Sequence, residues 1–304
     1  MIEISEHSSL PQCIVLLATY NGERWLSEQL RSIYNQVYVS VSIVVSDDQS
    51  TDGTQDLLQQ WSDSNGLQQL SGSGRREGNA NKNFLRLIRD AEIGTADYIA
   101  LSDQDDIWHE DKLARAIECL KATDAVAYSS NAEAFWPDGR TRIIRKSHMQ
   151  KTWDHLFSSP GPGCTFVFHR SVFLELRSWV YENFETLSNL WVHDWILYAY
   201  VRSCGRRWVI DDHVSIRYRQ HEGNEIGANI GFLAVKRRMN HVRSGMYRNN
   251  VLAVARLVRV PPRLLEALDR LSFTDRVWLL FHAYQFRRSF KEVVAIACLF
   301  FVMK

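Results

Sequence analysis

The sequence predicts an α/β protein: a mainly parallel sheet flanked by helices, followed by a C-terminal helical extension. Three observations predict it. Short apolar, β-branched runs alternate with helix-spaced segments through about residue 130. Polar clusters close three of those runs. From about Ile230 onward the chain turns helical, basic and aromatic.

Taken in order, Cys13 to Thr19 (CIVLLAT) is an apolar run that breaks at Tyr-Asn-Gly, as a buried parallel strand entering a loop does. Trp25 to Tyr34 has helical spacing, with Trp25, Leu26, Leu30 and Ile33 on one face. Val39 to Val45 is a second strand, Ser46 to Thr54 a polar turn, and Gln55 to Trp61 a second helix. Lys82 to Ala91 is a third helix with Phe84, Leu85 and Ile88 as its apolar face. Tyr98 to Leu101 is a strand running into Ser-Asp-Gln-Asp-Asp, followed by a helix over Asp111 to Leu120 and a strand over Ala125 to Tyr128. Pro137 to Pro162 is rich in loops, Cys164 to Phe168 reads as a strand, and His193 to Arg202 reads as a helix. Beyond it, Arg237, Arg238, Arg243 and Arg248 precede helical segments around Leu252, Leu264 and Val277. A boundary near 228 divides residues 1–228, with halves of about 12–130 and 131–228, from a helical region at 229–304.

Bulk properties narrow the function. The chain has 304 residues, enough for one large domain and an appendage. Lys and Arg number 36 against 35 Asp and Glu, a net charge of +1. So even a balance argues against a nucleic-acid partner held by a general basic field. Five scattered cysteines without a CxxC pair fit a reducing compartment better than a disulfide framework or a zinc site. The N-terminus lacks an apolar signal core. The longest apolar run, Val293 to Met303, falls short of the roughly 20 residues that cross a bilayer.

The polar strand ends carry the chemistry, because parallel sheets bind ligands at the carboxyl ends of their strands. Asp103-Gln104-Asp105-Asp106 sets carboxylates two apart on a turn, where they can face a common Mg²⁺ or Mn²⁺ that shares substrate phosphates. A departing diphosphate needs that neutralisation. An acidic turn capping the next helix gives the same letters. Of Asp47 and Asp48, one could accept the N3–H of a pyrimidine and the other cap the next turn. Asp194, in His193-Asp194-Trp195, could take a proton from an acceptor hydroxyl or serve as a helix N-cap. In Arg217-Tyr-Arg-Gln-His221-Glu-Gly-Asn, Arg219 and His221 could grip a diphosphate from a lid, or lie on a surface loop with a strand-end arginine. Trp136, Trp153, Trp179, Trp191, Trp195 and Trp208 offer faces for sugar stacking as well as for core packing. Gly161-Pro162-Gly163 either admits a ligand close to the backbone or simply turns the chain.

In order along residues 12 to 225, the chain carries LLATYNGERWLSEQLRSIYNQ, IVVSDDQSTDGT, NKNF, DYIALSDQDDIWHEDKL, GCTFVFHR, HDW and YRQHEGN. This ordered set resembles the family 2 inverting glycosyltransferases with the GT-A fold, a Rossmann-like, mainly parallel sheet flanked by helices. SDQDDIW with HDW and YRQH resembles the rhamnosyltransferase-like branch, which acts in cell-surface polysaccharide synthesis with dTDP-L-rhamnose as typical donor. The resemblance implies that Ala18, Tyr20 and Asn21 bound the nucleotide pocket and that Asp48 meets the base. It implies that Asp103, with Gln104 beside it, lies near the ribose and diphosphate. Asp105 then binds the metal, with Asp103 as its neighbour, Lys82 contributes to the donor site, and Asp194 is the general base. Here Arg75-Arg76-Glu77-Gly78 replaces the family's Asn-rich approach to the third helix, which puts the contacts before Asn81 in question.

The implied partners are a nucleotide-diphosphate sugar and a saccharide or lipid-linked saccharide acceptor. The basic, aromatic tail suggests docking at the inner face of the cell membrane, with a helical cap or a homo-oligomer contact as the alternative. Two rival functions remain. A sugar nucleotidyltransferase favours a Gly-rich basic phosphate loop near the N-terminus, and ATYNGERW offers one Gly and one Arg. A non-catalytic binding subunit of a polysaccharide-assembly complex has no need of both Asp105 and Asp194, and both are present.

Overall fold

The computed structural model describes residues 9–71, 76–190, 192–221 and 244–303. β1 (Gln12–Thr19) is buried at every position after Gln12. Successive side chains of a strand face opposite ways. Ile14, Leu16 and Ala18 therefore enter one apolar core, and Cys13, Val15 and Leu17 enter the other. A strand buried on both faces has no reason to alternate in polarity, which explains the unbroken apolar run.

The first half follows the expected alternation: α1 (Leu26–Tyr34), β2 (Ser40–Asp47), α2 (Thr54–Asn65), β3 (Gln68–Gln69), α3 (Ala80–Asp90), β4 (Tyr98–Ser102), β5 (Ile107–Trp108) and α4 (Lys112–Thr123). α1, α2 and α4 cover one face with Leu26, Leu30, Leu58, Leu113 and Ile117. α3 covers the other with Phe84, Leu85 and Ile88. The Asn79 side chain starts α3 by accepting the Lys82 N–H at 2.9 Å.

The second half comprises β6 (Ala127–Phe135), β7 (Thr141–Ile144), β8 (Val167–His169), α5 (Arg170–Ser188), α6 (His193–Ser203) and β9 (Trp208–Arg219). The sheet runs β3-β2-β1-β4-β8-β6-β9-β5, with β7 on β6. β3, β2, β1 and β4 are parallel. β8 is antiparallel to both β4 and β6, so the sheet is mixed beyond β4. β6 extends seven residues past the expected Tyr128, and residues 163–165 form a short 3₁₀ turn ahead of β8.

α7 (Met246–Leu257), α8 (Pro262–Arg270), α9 (Phe273–Phe281) and α10 (Phe290–Val302) complete the chain. Their Leu252, Leu264, Leu279 and Phe300, with Phe286 from the connection between α9 and α10, share a core with Phe84 and Phe157. Ser272 with Asp275, and Ser289 with Glu292, form capping boxes that start α9 and α10. Among the described residues, no helix is long and apolar enough to cross a membrane. The expected boundary at 228, along with Arg75, Trp191, Glu222 to Asn224, Arg237, Arg238 and Arg243, lies outside the described residues.

Candidate active site

The parallel register sets Thr19 beside Asp47 and Leu17 beside Ser102. The loops after β1, β2 and β4 therefore open side by side, at the sheet edge where such folds bind ligands. A cavity of about 500 Å³ lies there. It is lined by Ala18, Tyr20, Asp48, Asp103, Gln104, Asp105, Asp194 and His221 from the expected set. Asn21 lines an adjoining groove with Trp25 and His221. Lys82 and Arg219 are not among the lining residues of either.

The β1 loop is tied to its neighbours before any ligand arrives. Gln104 Oε1 accepts from Thr19 Oγ1 at 2.6 Å and from the Tyr20 N–H at 2.8 Å, and Gln104 Nε2 donates to the Tyr20 carbonyl at 3.0 Å. A Cβ at Gly22 would collide with that Gln104 oxygen, so the turn needs glycine. Asn21, at φ 49°, accepts the Thr51 N–H at 2.8 Å and joins the β1 loop to the β2 loop.

The two acids ending β2 divide their work. Asp47 accepts the Ser50 N–H at 2.8 Å and closes the turn. Asp48 is buried, accepts the Glu77 and Gly78 N–H groups, and faces Arg76 Nε at 3.6 Å. Arg76 lies 3.8 Å over the Tyr20 ring. The segment whose contacts the sequence left in question therefore reaches the cavity through Arg76 and Gly78.

The Asp103–Asp106 loop holds two environments. Asp103, Asp106 and Cys164 bring their ligand atoms within 4.8 Å of one another. Burial, reinforced by the Asp105 and Asp103 charges, raises the Asp106 pKa well above the carboxylate range. Burial likewise raises the Cys164 thiol. A protonated acid beside a thiol suits a hard cation poorly. Asp105 differs: its Oδ2 lies 2.6 Å from His221 Nε2. A carboxylate oxygen open to a cavity that can admit phosphates fits Mg²⁺ or Mn²⁺, and the imidazole beside it is a softer donor at the edge of that position. Arg219 braces this loop, its N–H donating to Asp106 Oδ1 at 3.1 Å, its Nε to the Asp105 carbonyl at 2.8 Å and its Nη2 to Glu28.

Across the cavity, His193-Asp194-Trp195 opens α6, whose N-cap is Val192 rather than Asp194. His193 stacks on Phe84 at 4.0 Å, and a Cβ at Gly163 would stand 2.5 Å from its Nε2. Burial pushes the His193 pKa down to about 3 and keeps the ring neutral. Trp195 Nε1 donates to the His155 carbonyl at 2.9 Å. With both neighbours anchored, the Asp194 carboxyl is held at the cavity wall, where Oδ1 accepts the Trp195 N–H at 2.6 Å. Burial raises its pKa to about 6, against the opposing pull of the Trp195 N–H, Ser159 and Lys146.

Several lining residues were not singled out from the sequence. Asn81 and Asn83 flank Lys82 in NKNF, and each has a buried side-chain oxygen without a hydrogen-bond partner. Lys146 lies after β7, on a stretch with no motif to flag it.

Residues 14–177 match the family model "Glycosyl transferase family 2". The chain is 41% identical over 240 residues to the dTDP-rhamnosyl transferase RfbG of Shigella flexneri, covering 79% of this chain and 83% of that protein. It is 25% identical over 165 residues to the putative teichuronic acid biosynthesis glycosyltransferase TuaG of Bacillus subtilis, covering 52% and 61%. Among solved structures it resembles S. aureus TarS 1-349 in complex with UDP-GlcNAc, with a TM-score of 0.59 and 15% identity over 89% of this chain and 72% of TarS. It also resembles the mannosyltransferase PcManGT of Pyrobaculum calidifontis in complex with GDP-Man and Mn²⁺, with a TM-score of 0.51 and 18% identity over 96% and 88%. Both likenesses are to the GT-A fold.

Proposed function

Because this chain belongs to glycosyl transferase family 2, we propose that it moves L-rhamnose from dTDP-rhamnose, with inversion, onto a saccharide or lipid-linked saccharide in cell-surface polysaccharide synthesis. The observation that carries this reading is one cavity with two unlike ends. Asp105 and His221 face it from the sheet edge, and Asp194 faces it from the start of α6. The first end suits a diphosphate and its divalent cation, and the second suits an acceptor hydroxyl. RfbG, acting as its name states on a dTDP-rhamnosyl donor, supports the donor assignment.

Each role follows from position. Asp48 and Tyr20 receive the base, with Arg76 moving off the Tyr20 ring to admit it. Asn81 and Asn83 offer unpaired oxygens to donor hydroxyls. Asp105, with His221 and Asp103 beside it, holds Mg²⁺ or Mn²⁺, which when bound neutralises the departing diphosphate. Asp194 takes the proton of the attacking hydroxyl, and a single base facing the anomeric carbon gives direct displacement. Residues 1–228 form the catalytic unit in this reading, and the helices between Met246 and Val302 pack on it.

The C-terminal helices support placement at the inner face of the cell membrane. Phe273, Phe281, Tyr284 and Phe290 are exposed, and Arg287 and Lys291 lie close to the last three in sequence. Aromatics with nearby cations suit an anionic lipid surface.

Binding of dTDP, dTDP-rhamnose and other nucleotide sugars, measured by calorimetry with and without Mg²⁺ or Mn²⁺, tests the donor site. Metal-dependent binding of dTDP-rhamnose that Asp105→Ala weakens is the expected result. Folded protein that binds no nucleotide diphosphate returns the non-catalytic reading.

A further inference from the structure

Away from the cavity, β5 pairs antiparallel with β9, Ile107 opposite Arg217 and Trp108 opposite Ile216. The next residue keeps that register, the His109 N–H donating to the Ser215 carbonyl at 3.0 Å. There the chain leaves β5 and turns into α4, with Asp111 at the helix N-cap, while His213 lies on β9 two residues before Ser215. Trp108, the last residue of β5, is buried in the core.

The placement of His213 is a built feature of β9. The β6–β9 register shifts between Ser130/Asp211 and Asn131/Val214, so Asp212 and His213 are extra residues in a bulge. Bulges re-aim side chains. Here His213 Nε2 comes 3.4 Å from Asp111 Oδ2 and is shielded from solvent without a hydrogen-bond partner. The His109 and His213 rings stand edge to face at 6.5 Å. The ligand atoms of all three residues lie within 4.8 Å of one another. Their backbone is pinned as well: Gln36 Nε2 donates to the His109 carbonyl at 2.7 Å, and the Val37 N–H to the Glu110 carbonyl at 3.0 Å.

We propose that His109, Asp111 and His213 form a second metal site, selective for Zn²⁺-class ions and separate from the catalytic cavity. Two imidazoles and one carboxylate are a borderline donor set that suits Zn²⁺ better than Mg²⁺. Three protein ligands leave the fourth tetrahedral position to water. The ion joins β5 and the start of α4 to β9. These elements hold Asp105 and Asp106 from one side and Arg219 from the other, so the ion stabilises the frame of the acidic loop. The assignment does not depend on which sugar the enzyme transfers.

The test is Zn²⁺ titration of the metal-stripped full chain against a chromophoric chelator, with melting temperature read in parallel. Wild-type protein and the Asp105→Asn variant should each bind one tight equivalent of Zn²⁺ at this site and melt higher with it. His213→Gln and Asp111→Asn, both at partly exposed positions and checked for folding by circular dichroism, should weaken that equivalent by at least about tenfold, the loss that even an outer-shell change can cause. They should also lose the Zn²⁺-dependent rise in melting temperature. Unchanged binding in His213→Gln, disappearance of the tight equivalent in Asp105→Asn, or no saturable micromolar binding in wild type would each overturn the proposal.

Discussion

His221 touches two residues that no sequence pattern connects: its Nε2 lies 2.6 Å from Asp105 Oδ2, and its ring stacks on Trp25 at 4.0 Å. The imidazole is thus positioned by an aromatic face from the β1 loop while it meets the carboxylate of the β4 loop. A cation entering beside Asp105 must replace that hydrogen bond, so the ring and its stacking partner must respond. Adding Mn²⁺ with dTDP should change Trp25 fluorescence, and Trp25→Phe should remove that component. His221→Ala should raise the metal concentration needed for half-maximal turnover by about tenfold or more, as expected for removal of a group at a metal site. Unchanged metal dependence in His221→Ala would remove His221 from the metal's surroundings.

Asp194 has its pKa raised to about 6, chiefly by burial. A base works in its charged form, so turnover should climb as pH rises through about 6 and level off above it. Asp194→Asn should cost turnover on the order of 100-fold or more while donor binding stays near wild type. Comparable loss of both would count against the base assignment.

Lys146 pulls the Asp194 pKa down through its charge. Removing that charge leaves only the Trp195 N–H and Ser159 to oppose burial, so Lys146→Met should move the acid limb of the rate profile to higher pH. At neutral pH, turnover falls because more of the carboxyl is protonated. A limb that stays in place would show that Lys146 does not act on Asp194.

These residues differ in how far the sequence displayed them. The strand ends at Thr19, Asp47 and Ser102 were legible because burial on both faces makes β1, β4 and the Ile43–Val45 part of β2 continuous apolar runs. α5 was not, since its inward side chains Val172, Leu176 and Val180 are interleaved with Glu175, Arg177 and Trp179. β9 was hidden by Asp211-Asp212-His213 at its centre, where the bulge interrupts the alternation that marks a strand. The pairing of His221 with Asp105 spans 116 positions and depends on β9 lying beside β5. No local pattern carries such a relation. The NKNF segment was visible as a motif, but which of its side chains faces the cavity is set by the pitch of α3 against the sheet.

Gly163 makes a sharper test of how the base is held. A Cβ there would stand 2.5 Å from His193 Nε2, inside any tolerable contact. His193 is stacked on Phe84, so a retreat of its ring disturbs that contact at the first turn of α6. Gly163→Ala should destabilise the fold by about 1–3 kcal/mol, the usual cost of overpacking. It should also lower turnover more than donor affinity, because Asp194 adjoins the displaced ring. Equal losses in the two would indicate a general collapse of the cavity instead.

Two buried histidines, His155 and His193, should weaken the fold in acid. His155 is 4% exposed, neither ring nitrogen has a hydrogen-bond partner, and burial followed by the nearby Arg202 charge lowers its pKa to about 3. His193 is lowered to about 3 as well. In the unfolded chain both titrate near 6.5. The folded state therefore binds fewer protons than the unfolded state between about pH 6.5 and 3. Stability from this source is fully present above pH 6.5 and lost as pH falls toward 3. At pH 5 each histidine costs about 2 kcal/mol relative to pH 7, from roughly 1.4 kcal/mol per pH unit. Denaturation in urea at pH 7 and pH 5 measures their sum less the opposing gain from Asp194 and Asp106, whose raised pKa values let the folded state take up protons as pH falls. His155→Gln should lower stability at pH 7 yet reduce the drop between the two pH values by about 2 kcal/mol. A variant whose pH 5 loss equals the wild-type loss would show that His155 does not limit the fold in acid.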